Sequence, residues 1–124
     1  MKKQLVLYVI ALVVTIAGVS FWAYQNSKPM SDDGRLILYF SNGCVHCANV
    51  EKFMADNGVK EKITKLEVKE GNINRTNAAE MVKYAKQCSL PLSQIGFPFL
   101  WTGNECLMGD IDIVGYFSEQ IKVK

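Results

Sequence analysis

From Leu5 to Tyr24 the chain runs without a charged side chain, and only Thr15, Gly18 and Ser20 weaken its apolar character. A segment of that kind has no polar face to offer water, so it does not belong to the surface of a soluble domain. At 1.5 Å rise per residue it makes roughly 30 Å of helix, about the thickness of bilayer hydrocarbon. Trp22 and Tyr24 stand at its far end, where amphipathic rings favour the membrane interface. Residues 1–25 are therefore expected to form a single-pass transmembrane anchor. Lys2 and Lys3 precede the apolar run, and the next charges are Lys28, Asp32 and Asp33. This asymmetry predicts a cytoplasmic N-terminus, with the rest of the chain on the periplasmic or extracellular side. The alternative is a cleaved secretory signal. Gly18-Val19-Ser20 offers small residues for a cleavage position, but bulky Phe21 and Trp22 follow. The apolar run also exceeds the roughly 7–15 residues of a signal peptide's apolar region.

Residues 26–34 are mostly polar and include Pro29 and Gly34, which reads as a linker. Residues 35–124 are long enough for one domain. Its charges balance: Lys2 and Lys3 account for the whole excess of 14 Lys+Arg over 12 Asp+Glu. A neutral domain lacks the basic footprint that nucleic acid requires, so no nucleic-acid partner is expected.

Leu36-Ile37-Leu38-Tyr39-Phe40 is a continuous apolar run ending at Ser41-Asn42-Gly43, as for a strand buried on both faces of an α/β sheet. A helix is expected from about Cys44 to Asn57, capped by Ser41 or Asn42 and ended by Gly58, with Val50, Phe53 and Met54 inward. Ile63 to Val68 alternates and reads as a second strand, while the charges from Lys60 to Glu70 read as solvated surface. Asn77 with Glu80 resembles a capping box opening a helix to about Gln87, with Ala78, Met81, Ala85 and Cys88 on its inner face. Phe97–Trp101 and Cys106–Met108 form a hairpin about Thr102-Gly103-Asn104-Glu105. Asp110 is then expected to cap a last helix with an apolar stripe of Ile111, Val114, Phe117 and Ile121. The order is β-α-β-α-β-β-α.

Cys44-Val45-His46-Cys47 follows the buried strand and opens a helix. A thiolate there is stabilised by unpaired backbone N–H groups and by the helix dipole, and the thiolate is the nucleophilic form. The two-residue spacing puts both sulfurs on one turn, close enough to bridge. His46, when protonated, further favours the thiolate. In such a pair the first cysteine attacks and the second, a turn deeper, resolves the mixed disulfide. About 50 residues on, Gly96-Phe97-Pro98 stands at a strand's start, a position that accepts proline and, in a tight turn, a cis bond.

With these residues in place, residues 35–124 resemble the thioredoxin superfamily, and the element order is similar to its compact glutaredoxin-type version. The resemblance implies a thioredoxin-like α/β fold with a central mixed sheet flanked by helices. It implies Cys44 as nucleophile, Cys47 as resolving residue, and Pro98 as a cis-proline facing them. It also implies that the backbone of Phe97, beside Pro98, pairs with bound substrate. Leu107-Met108-Gly109-Asp110 resembles the glycine-aspartate turn after the family's hairpin. The chain departs from thioredoxin itself in having Gly43 before Cys44, Leu38 where the buried acid would fall, and no Gly-Pro between the cysteines. His46 matches the histidine of protein disulfide isomerase and Dsb-type motifs, which are more oxidising, at roughly −120 to −180 mV against about −270 mV for thioredoxin.

Four cysteines allow three pairings, and the sequence alone does not choose among them. If Cys44 and Cys47 are the redox pair, a structural disulfide between Cys88 and Cys106 is expected, since free thiols outside the cytoplasm risk oxidation. A buried Cys88 thiol is the alternative. The expected function is a membrane-anchored, extracytoplasmic thiol–disulfide oxidoreductase, monomeric and without cofactor or metal. Its partners would be protein thiols and disulfides, with a membrane protein or small thiol as redox partner. Two rivals remain: a Cu(I) or Zn(II) protein using Cys44, His46 and Cys47, and a non-catalytic interaction module of the same fold.

Overall fold

Apolar side chains on both sides of a strand must be covered on both sides, and Leu36–Phe40 accordingly forms β1 in the interior of a four-stranded sheet. The computed structural model describes residues 1–26 and 34–123. The linker expected at 26–34 thus falls almost wholly outside the described residues, as do Lys28, Asp32 and Asp33 and the side chain of Tyr24.

The sheet order is β2-β1-β3-β4. β2 (Leu66–Glu70) runs parallel to β1, while β3 (Phe99–Trp101) is antiparallel to β1 and β4 (Cys106–Met108) antiparallel to β3. Leu38 is the point of register, opposite Val68 on one side and Leu100 on the other. Strand alternation then divides the core into two layers. Leu36, Leu38 and Leu100 face α2 (Val45–Asn57), α3 (Val59–Lys62) and α5 (Asp110–Lys122), meeting Val50, Met54, Val59, Ile113 and Phe117. Ile37, Tyr39, Phe99 and Trp101 face α4 (Arg75–Gln87), meeting Met81, Tyr84 and Ala85. The result is an α/β fold with one mixed sheet flanked by helices.

The N-terminal helix α1 spans Lys2–Asn26, and its Lys2–Trp22 part is long and apolar enough to cross a membrane. None of that span is buried against the rest of the chain, and Trp22 is 68% exposed. Each large apolar side chain left in water forgoes roughly 1.5–3 kcal/mol of burial, so the helix calls for an apolar surrounding that the domain does not supply.

Four local expectations are corrected. Gly58, at φ +60°, ends α2, but the chain re-enters a helical turn, α3. The Ile63 N–H closes that turn on the Val59 carbonyl at 2.7 Å, so Ile63 enters the core from a helix end and β2 begins only at Leu66. Helix α4 is capped by Asn74, not Asn77, its side-chain oxygen accepting the N–H groups of Thr76 and Asn77. In α5 the cap position is Gly109 and Asp110 is already helical; Phe117 is buried and Val114 and Ile121 pack against the core as expected, but Ile113 is buried while Ile111 is 84% exposed.

Fourth, the charges of β2 are not simply solvated. Glu80, freed from capping, accepts hydrogen bonds from Arg35 (2.7 Å), Tyr39 (2.8 Å) and Lys69 (2.7 Å). Glu67 joins the cluster through Arg35 and Lys69, each at 3.2 Å. Burial raises the Glu80 pKa, but these donors outweigh it and hold the carboxyl at about 2. Burial, then the Glu80 carboxylate, pushes the Tyr39 phenol up. Glu70 accepts three backbone N–H groups, from Asn72, Ile73 and Asn74, and so shapes the β2–α4 loop.

Cys88 and Cys106 are joined in a disulfide, Cα–Cα 6.2 Å, which ties the C-terminal cap of α4 to the outer strand β4. Beside it the Trp101 ring stacks on Tyr84 at 4.5 Å.

Two stability outcomes are expected. A carboxyl with a depressed folded pKa stabilises the fold above its ordinary value of 4.5, and that contribution is lost as pH falls from there through about 2. Glu80→Gln should cost roughly 2 kcal/mol at pH 7, with the gap to the parent protein closing as pH falls through that window, read from denaturation midpoints. Replacing both Cys88 and Cys106 by Ala should cost about 3 kcal/mol, the closure entropy of a loop of this size, and lower the melting temperature.

Candidate functional site

Because β3 runs against β1, the entry to β3 lies beside the exit from β1, and the exit from β4 returns to the same end. Four segments therefore meet there: Ser41–Cys44 after β1, Gly71–Asn74 after β2, Phe97–Pro98 before β3, and Gly109–Asp110 after β4. Every site residue expected from the sequence except Cys88 and Cys106 is at this end. Those two lie at the junction of α4 and β4.

Cys44 is the N-cap of α2, in extended conformation at φ −84° and ψ 118°. Its Sγ accepts the backbone N–H of Cys47 at 3.1 Å, so neither Ser41 nor Asn42 caps the helix. The sulfur thus occupies the place where an N-cap oxygen would satisfy an orphan helix donor. Cys44 and Cys47 are disulfide-bonded, with Cα atoms 5.2 Å apart. The two differ in access: Cys44 is half-buried, whereas Cys47 is 3% exposed, turned into the layer beneath α2.

Phe97 and Pro98 close the site from the other side. Their peptide bond is cis, and the Phe97 carbonyl oxygen lies 3.7 Å from the Cys44 Sγ. The Phe97 ring rests against the backbone at Gly71, where an added Cβ would sit 2.9 Å from the ring edge. A larger residue there would force the Phe97 ring to shift, so glycine is favoured by close approach rather than by an unusual φ. The Pro98 carbonyl accepts the N–H of Gly109 at 3.0 Å, tying the proline to the β4–α5 turn.

That turn delivers a contact that sequence reading missed. Asp110, expected as a helix cap, instead points at the first turns of α2. Its Oδ1 is 3.0 Å from His46 Nδ1, and its Oδ2 accepts a 2.6 Å bond from the Asn49 amide. Asn49, then His46, hold the Asp110 carboxyl below the ordinary carboxylate range. The contact fixes the His46 ring with Nδ1 toward the carboxylate. Asp110 and His46 are 64 residues apart, so no local pattern announces the pair. The one available signal was an acidic residue at a turn just after the hairpin.

A cavity of about 290 Å³ opens beside the cysteines, lined by Phe40, Ser41, Gly43, Cys44, Cys47 and Glu51 among others. A larger one of about 600 Å³ adjoins it through Phe40 and Glu51. Among the described residues, no group of three or more His, Cys, Asp or Glu side chains is arranged to hold a metal ion. Val45, Ile73 and Ile111 are exposed apolar side chains at this end of the sheet.

No family model matches the chain, and no curated protein matches it significantly.

Asp110→Ala removes the one side chain that, among the described residues, hydrogen-bonds and orients the imidazole. The share of neutral His46 carrying its proton on Nδ1 should fall, as read from ring 15N shifts, while Asn49→Ala leaves the tautomer largely unchanged.

Proposed function

We propose that the chain is a membrane-anchored thiol–disulfide oxidoreductase of thioredoxin-like, glutaredoxin-type fold, exchanging disulfides with protein substrates through Cys44 and Cys47. The observation that carries this reading is the asymmetry of the pair. One sulfur is accessible and sits on a helix N-terminus, where a thiolate is stabilised. The other is bonded to it and buried. A purely structural bridge has no need of that arrangement.

In the reducing direction the Cys44 thiolate attacks one sulfur of a substrate disulfide. A Cys44–substrate bond forms, and the other substrate sulfur leaves as a thiolate. The Cys47 thiolate then attacks Cys44 Sγ, forming the internal disulfide and releasing the second substrate sulfur. Two electrons pass to the substrate; the oxidising direction is the same sequence reversed. His46 adds positive charge to the first turn of α2 when protonated, favouring the Cys44 thiolate, with Asp110 as the residue that positions it. An extended substrate would lie along Phe97–Pro98, beside Cys44, as the resemblance to the thioredoxin superfamily implies. The exposed Val45, Ile73 and Ile111 give such a peptide apolar contacts, which favours a protein substrate over a small thiol alone.

The apolar helix α1 and the lysines before it support a single-pass anchor with the N-terminus cytoplasmic and the domain outside. There the pair would be recycled by a membrane protein or a small thiol. The domain would act as a monomer.

A redox titration read by thiol alkylation and mass tests this reading. Cys44–Cys47 should titrate as one two-electron couple, with Cys88–Cys106 remaining oxidised to lower potential. A midpoint near −120 to −180 mV would assign the oxidising direction and one below about −250 mV the reducing one. Cys44→Ser should abolish exchange with a peptide disulfide, and Cys47→Ala should trap the mixed disulfide. A Cys44–Cys47 bond that resists reduction alongside Cys88–Cys106 would sink the proposal.

A further inference from the structure

We infer that Glu51 is the proton acceptor that activates Cys47, acting through the cavity the two residues share; this rests on the redox reading above. The resolving step needs Cys47 as a thiolate. Its S–H bond breaks, and the proton passes to a base. Its sulfur bonds to Cys44 Sγ, and the bond between Cys44 and the substrate sulfur breaks. The electron pair leaves on the substrate sulfur, which takes a proton from solvent. A thiol that is 3% exposed gives up its proton to bulk water poorly, because burial in apolar surroundings disfavours the charged form. A base must therefore reach it.

The sheet leaves none free. The β1 residues on the α2 side, Leu36 and Leu38, are apolar and buried, and Glu70 at the end of β2 spends its carboxylate on the backbone N–H groups of Asn72, Ile73 and Asn74. The other ionisable groups near the first turns of α2 are engaged elsewhere. His46 is directed at Asp110 from α5, and the Asp110 carboxylate is held by His46 and Asn49. Further along α2, Lys52 is paired with Asp56 at 2.6 Å.

Glu51 remains. It lies four residues after Cys47, one turn along the same helix, where side chains are neighbours. Helix side chains lean toward the N-terminus, so Glu51 is directed back over the turn that carries Cys47. Both line the cavity of about 290 Å³ that also exposes Cys44, ample for a bridging water at about 30 Å³ each. Among the described residues the Glu51 carboxylate has no hydrogen-bond or ion-pair partner. It also lines the adjoining cavity with Lys60 and Glu61 of α3, the other charged groups facing it, and is itself exposed, so a proton taken from Cys47 has a way out. In the oxidising direction the same carboxylic acid returns the proton to Cys47 as its sulfur leaves.

The test is the pH dependence of resolution in the full chain, measured in detergent. A fluorescent peptide disulfide is mixed with the reduced protein, and decay of the Cys44–peptide adduct is followed by acid quench. Glu51→Gln should slow that decay by about a hundredfold or more, the lower range of general-base catalysis, and flatten its dependence on pH. Glu51→Asp should restore part of both, and the alkylation rate of Cys44 in the reduced variants should stay unchanged. Equal decay rates and profiles for Glu51→Gln and the parent protein would overturn the assignment, as would a parallel loss in Cys44 alkylation, which marks a structural effect. If the parent protein forms no adduct at all, the redox reading itself falls, and this inference falls with it.

Discussion

Everything at the candidate site hangs from the burial of β1 on both faces. Leu36 to Tyr39 are withdrawn from solvent, two side chains to each layer of helices. A strand so enclosed cannot shift register by one residue without exchanging its two faces. Its exit is therefore a fixed point, and the loop from Ser41 to Cys44 starts α2 from a rigid support. Cys44 takes the N-cap position because the chain passes directly from that strand into the helix.

The opposing wall of the site is built from distant parts of the chain, and hydrogen bonds join its pieces in series. Pro98 is linked to Gly109, and the next residue, Asp110, reaches back to His46 and Asn49. The cysteine turn, the proline and the start of α5 are thereby coupled around one opening. On the opposite layer, the Arg35–Glu67–Lys69–Glu80 cluster and the Cys88–Cys106 bridge fix α4 against the sheet. Both lie on the α4 side of the sheet, opposite the layer that carries the cysteine pair.

Much of this order was legible because hydrophobic pattern and turn residues agree with it. The apolar run gave β1, the hairpin signal gave β3 and β4, and Gly58 marked the end of α2. The misplacements share a cause: local pattern is ambiguous wherever a side chain has a choice of partners. Asn77 and Glu80 have the spacing of a capping box, yet Asn74 caps and Glu80 turns to Arg35, Tyr39 and Lys69, which lie close only after the sheet forms. Asp110 has the composition of a cap, yet its carboxylate finds better donors on α2. Ile111 fits the apolar stripe of Val114, Phe117 and Ile121, but it stands in the first turn of α5 and is left exposed, while Ile113 is buried.

The sequence by itself determined the apolar N-terminal helix, the central strand and the Cys44–Cys47 spacing at a helix start. Each follows from neighbours in the chain, through rise per residue, side-chain alternation and the two-residue gap. Tertiary structure set how far the two cysteines differ, leaving Cys44 half-buried and Cys47 3% exposed. It also chose Cys88 as the partner of Cys106, turned His46 toward Asp110, and left Glu51 without a partner among the described residues, on the cavity beside the cysteines. These depend on which loops the mixed sheet brings to one end, and long-range juxtaposition of that kind leaves no period in a sequence.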